Sequence, residues 1–160
     1  MQSSFFEAIS AGDLDKMQSL LSQNAELVHA QDQRGFPPLV LATYNAHQQL
    51  IEPLLIFGAD INAQDASGNT ALMGVCFKGN LEIANFLLER GADVNKTNNS
   101  GGTALTFACT FGQLEIAKVL LKHGANPLQK DNRGASPWDY AKIKGNKALT
   151  DLFEDFAKSN

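Results

Sequence analysis

The chain contains no apolar run near the roughly 20 residues that a membrane-spanning helix needs, so no span is expected. It also lacks a basic excess. Its 13 Lys and Arg face 17 Asp and Glu, and the formal charge of −4 argues against a partner whose phosphates must be neutralised. The opening residues MQSSFFEAISAGDLDKM have no basic start followed by an apolar core, so no secretory signal is read and a cytoplasmic protein is expected. Cysteine is scarce, with only Cys76 and Cys109, and these stand 33 residues apart. If that spacing puts them on neighbouring packed helices, about 8–10 Å apart, they lie beyond the ~7 Å Cα separation a disulfide tolerates. Small buried thiols in a reducing compartment are expected instead.

Catalytic and metal-binding patterns are missing as well. No CxxC, HExxH or GxSxG occurs, and His29, His47 and His123 are too scattered for a metal site. The stretch from Gly74 to Gly79 opens like a phosphate loop but continues Asn80-Leu81 where Lys and Ser or Thr are needed. No cofactor and no enzymatic activity are expected.

What the chain does have is a repeat. LLIFGADIN at 54–62, LLERGADVN at 87–95 and LLKHGANPL at 120–128 recur every 33 residues. In the same register run Gly35, Gly68, Gly101 and Gly134. Each is preceded by Asp32, Asp65, Asn98 or Asp131 and followed by Pro37, Thr70, Thr103 or Ser136. Leu39, Leu72, Leu105 and Trp138 continue the columns. Residues 1–31 are a weaker copy, which predicts five units: 1–31, 32–64, 65–97, 98–130 and 131–160. Within one unit, Thr70 can cap a helix that Gly79 ends. Leu81, Ile83, Ala84, Leu87 and Leu88 then form one apolar face opposite Glu82 and Glu89, and Gly91 suits a left-handed C-terminal turn. One such pair cannot bury its apolar face alone; stacked neighbours can.

A period of 33 with DxxGxTPL-like starts and LLxxGADVN ends resembles the ankyrin repeat, over essentially the whole chain. The resemblance implies an all-α solenoid of stacked helix-turn-helix units with β-turn fingers. Both ends look like caps. Phe5, Phe6 and Ile9 are expected to face inward at one end, and Leu149, Leu152, Phe153 and Phe156 at the other, as in a complete monomeric array. The recurring acids Asp32, Asp60, Asp65, Asp93 and Asp131 read as turn formers. Three departures are expected to cost stability. The histidine that knits many ankyrin turns is replaced by Val40, Met73, Thr106 and Asp139. Pro53 falls in the second helix of its unit, and Gly74 in the first helix of the next.

The resemblance further implies that finger tips and first helices form a concave face that grips a partner protein. The variable positions there are Arg34, Phe36, Tyr44, Asn45, Phe77, Lys78, Thr110, Phe111, Arg133 and Lys144. With Lys130, this set holds five basic residues and no acid, and it holds four aromatics that the repeat does not require. Aromatic anchors in basic surroundings point to an acidic protein partner with apolar anchor groups. Occlusion of a partner enzyme's surface is the alternative; nucleic-acid binding and catalysis are distant ones.

Overall fold

Hydroxyls begin three of the first helices. In the computed structural model, which describes residues 1–159, α1 (Gln2–Ala11) and α2 (Leu14–Gln23) are followed by a 3-10 turn over Ala25–His29. Then come α3 (Pro38–Tyr44), a 3-10 turn over Gln48–Leu50 running into α4 (Ile51–Ile56), α5 (Ala71–Lys78) and α6 (Leu81–Glu89). The series closes with α7 (Ala104–Thr110), α8 (Leu114–Lys122), α9 (Pro137–Ile143) and α10 (Lys147–Ser159). No strand occurs among the described residues. Successive helices pack as pairs. The first helices form one row, α1–α3–α5–α7–α9, and α6, α8 and α10 stack in a second. Gly79 ends α5 in the left-handed region, with φ 79°, as its lack of Cβ permits.

The missing histidines are replaced locally. Thr70, Thr103 and Ser136 each accept the amide of the third helical residue, at 3.3, 3.4 and 3.2 Å. That third residue answers: Met73 Sδ, Thr106 Oγ1 and Asp139 Oδ2 accept the cap's own N–H at 3.5, 3.0 and 2.9 Å. These are reciprocal capping boxes, with a thioether in one of them. The fourth member of the column, Val40, offers no acceptor, and none is needed because the capping residue is Pro37, which has no N–H.

Turn carboxylates and amides build the fingers, as expected. One side-chain oxygen of Asp32, Asp65, Asn98 and Asp131 accepts two backbone amides, all at 2.9–3.1 Å. Fingers are then stitched to one another. Asn99 N–H donates to the Ser67 carbonyl and Asn132 N–H to that of Ser100, both at 3.0 Å. On the outer turns, the Asn62 side chain accepts from Asp93 N–H at 2.8 Å and that of Asn95 from Asn126 N–H at 3.0 Å. His47 is half-buried and donates Nε2–H to the Ser10 carbonyl at 2.9 Å.

Pro53 departs from the expected interior position. The chain runs as a 3-10 turn to Leu50, and α4 proper starts at Ile51, so the proline occupies the first turn. Its missing N–H is one that a helix start leaves unpaired anyway. Pro53→Ala is therefore expected to lose stability slightly, by about 0.4–1 kcal/mol, because alanine loosens the unfolded chain. A gain in the denaturant midpoint would show that the proline strains the helix.

Gly74 does lie within α5 and Cys76 and Cys109 within the stack, both thiols free and fully buried. Burial pushes the Cys109 thiol up to about 12 and raises that of Cys76, with a smaller contribution from the neighbouring Cys109. With little thiolate and no access, both are expected to resist maleimide at pH 7–8 on the timescale of native opening. Rapid labelling of both in the folded state would contradict this packing.

Candidate functional site

One 33-residue column, Tyr44, Phe77, Thr110 and Ile143, falls at the ends of the first helices. Tyr44 is the last residue of α3, Phe77 the penultimate residue of α5, Thr110 the last of α7 and Ile143 the last of α9. Tyr44 and Phe77 lie nearly parallel (5°) with centroids 6.5 Å apart. Phe77 meets Phe111 edge to face at 4.8 Å, and Phe107 continues the row at 6.4 Å from Phe111. Tyr44, Phe77 and Phe111 each keep 41–47% of their surface exposed. These rings pack between neighbouring helices and still present apolar area outward.

The cations use the rings. Lys78 Nζ sits 4.5 Å above the Tyr44 ring and the Arg34 guanidinium 4.9 Å above that of Phe36. Arg34 is also paired with Asp32 at 3.3 Å, whereas Lys78 has no ion-pair partner among the described residues. Arg133 is exposed at its finger tip, and Asn45 and Lys144 are exposed just beyond α3 and α9. The Thr110 hydroxyl is spent on its own helix, donating to the Thr106 carbonyl at 2.8 Å.

Two grooves separate the fingers from this row. One, of about 350 Å³, is bounded by Arg34, Phe36, Tyr44, Phe77 and Phe107, with Val40, Met73 and Gly74 on the helix side and Asp65 on the finger side. The other, of about 480 Å³, is bounded by Thr110, Phe111 and Arg133, with Phe107, Asp131 and Tyr140. Asn45 and Lys144 line neither. A wider depression of about 830 Å³ lies between α1 and the first finger and includes Phe6, Glu7 and Asp32.

The basic character expected of this face therefore needs correction. Glu7, Asp32, Asp65 and Asp131 line the same depressions. The aspartates are turn formers, as expected, but a carboxylate has two oxygens and the turn occupies one. The second oxygen of Asp131 accepts the Tyr140 hydroxyl. Partial desolvation opposes ionisation there. The bonds from Tyr140, Ala135 N–H and Arg133 N–H, with the Arg133 charge, prevail and hold Asp131 below the ordinary carboxylate range. The same hydrogen bond raises the Tyr140 pKa. Sequence reasoning missed Gly74, Phe107 and Tyr140 as groove residues. The signal was one more 33-residue column, Leu41, Gly74, Phe107 and Tyr140, whose side-chain size changes at every step.

Stacked helix pairs with projecting, stitched fingers and a variable groove beneath them define a repeat solenoid. Three overlapping copies of the family model for ankyrin repeats match residues 5–98, 39–131 and 92–159. The chain belongs to the ankyrin-repeat family, whose members are generally protein–protein interaction modules and typically non-catalytic. No curated protein sequence matches it. No described helix is long and apolar enough to cross a membrane.

Proposed function

We propose that this chain is a non-catalytic module that binds a partner protein across its fingers and first helices. One observation carries the reading: a continuous row of half-exposed aromatic rings, Tyr44, Phe77 and Phe111, beside the finger grooves. Rigid aromatics lose little entropy on contact and concentrate binding energy. Lys78 beside Tyr44 gives the rim a cation for an acidic group of the partner, while the groove floor is apolar with carboxylates on the finger side. Arg34, Phe36, Asn45, Thr110, Phe111, Arg133 and Lys144 complete the proposed contact face, and the five units read from the repeat are its proposed building blocks.

The test uses a partner captured by affinity purification and kinetics on the purified pair. Tyr44→Ala is expected to weaken binding by about 1–3 kcal/mol, mainly through faster dissociation. Lys78→Glu is expected to slow association and flatten its salt dependence, since steering is screened over about 8–10 Å. Glu115→Lys on α8, which loses only an exposed pair with Lys118 (3.1 Å), is expected to change little. Equal losses from groove and α8 substitutions would end the finger-face reading.

A further inference from the structure

The chain contains its own example of what fills the space beneath a finger. Nine residues after Asp131, Tyr140 lies under its finger and gives its hydroxyl to the second oxygen of that aspartate. At the equivalent place after Asp65 stands Gly74, which has no side chain. A Cβ built there meets only Tyr44 Cδ2, at 3.8 Å, so the space is open. It is the floor of the 350 Å³ groove, with aromatic walls from Tyr44, Phe77 and Phe107.

Asp65 is the matching half. Its Oδ1 accepts Ser67 and Asn69 amides, both at 2.9 Å, and its Oδ2 has no hydrogen-bond partner among the described residues. The other members of the column are satisfied. Asp32 Oδ2 holds Arg34, Asn98 Nδ2 donates to Asn69 Oδ1 at 2.8 Å, and Asp131 Oδ2 accepts from Tyr140. An open aromatic-walled slot thus ends on a half-used carboxylate, and that pairing recurs in this chain with a tyrosine in place. We propose that the groove over Gly74 is an anchor pocket for a tyrosine side chain presented by the partner protein, its ring between the aromatic walls and its hydroxyl donating to Asp65. This rests on the partner-binding reading above and narrows the partner to a segment exposing a tyrosine. Phenylalanine would leave the carboxylate without a donor, which is the asymmetry that lets a polar site reject an otherwise equal ring.

The pocket is testable without the partner. N-acetyl-tyrosinamide, N-acetyl-phenylalaninamide and N-acetyl-lysinamide are titrated into the ¹⁵N-labelled protein at millimolar concentration. The tyrosine amide is expected to shift the amides of 65–70, Gly74 and Phe77, with an apparent affinity about fivefold above the other two. Asp65→Asn keeps the turn, as Asn98 does with bonds of 3.0 and 2.9 Å, and is expected to abolish the tyrosine preference. Gly74→Tyr is expected to fold with its own ring in the slot and to lose the shifts altogether. Equal shifts from the three amides, no groove shifts, or full binding by Gly74→Tyr would overturn the pocket. Such a result would leave the contrast between Tyr44→Ala and Glu115→Lys standing, because that experiment does not depend on tyrosine.

Discussion

Phe153→Ala is expected to cost about 3–5 kcal/mol and to detach the C-terminal end of the array before the rest unfolds. Phe153 is 1% exposed and is the centre of the apolar stripe of α10, flanked by Leu149, Leu152 and Phe156. Its ring stacks on Trp138 of α9, with centroids 5.8 Å apart. α10 packs against α8 and α9. In a linear array the loss falls on one interface and is not shared by a global core. The molecule has a single tryptophan, and it sits at that interface, so fluorescence reports the end while far-UV ellipticity reports the whole. The variant's fluorescence transition is expected at lower denaturant than its ellipticity transition. Coincident curves shifted by less than ~1 kcal/mol would show that α10 contributes little and that unfolding is all-or-none.

Gly68→Ala is expected to destabilise by about 2–4 kcal/mol, and Gly134→Ala, in the same repeat column, by only about 1–2 kcal/mol. Both glycines have positive φ, 79° and 84°, so the left-handed penalty is common to them. The surroundings differ. A Cβ on Gly68 would stand 2.7 Å from the backbone nitrogen of Asn99 in the next finger, whose N–H donates to the Ser67 carbonyl at 3.0 Å. Relief requires the fingers to part and that bond to stretch, adding about 1 kcal/mol or more. A Cβ on Gly134 meets nothing within 4 Å, and no described finger packs against it. Paired denaturant titrations measure the difference. Equal losses would mean that fingers yield freely and that their stitching contributes nothing to cohesion.

Much of the fold was legible because its parts are local. Thr70 caps, Gly79 terminates and the Leu81–Leu88 face repeats within spans where sequence spacing is spatial spacing. The buried ends, Phe5 and Ile9 at one and Leu149 and Phe153 at the other, followed from apolar stripes in the same way. Pro53 was misplaced because a proline pattern does not say where a helix begins; a 3-10 turn before Ile51 moved the start. The substitution of histidine by Met73, Thr106 and Asp139 looked like a loss, and only atomic positions show the side chains turned back on their caps. Of the groove, the aromatic columns were readable, since Tyr44, Phe77 and Phe111 are large where the repeat makes no demand.

The 33-residue period by itself pointed to stacked units, because a recurring unit with one apolar side can bury it against its neighbours, and the resemblance of its motifs added the family and the face left free to vary. Tertiary structure alone decided where that face is hollow. The slot over Gly74 is made by Tyr44 and Phe107, each about one repeat away, and by a carboxylate oxygen that Asp65 does not need for its turn. An empty volume has no residue of its own, so it emerges only when distant side chains are set around it.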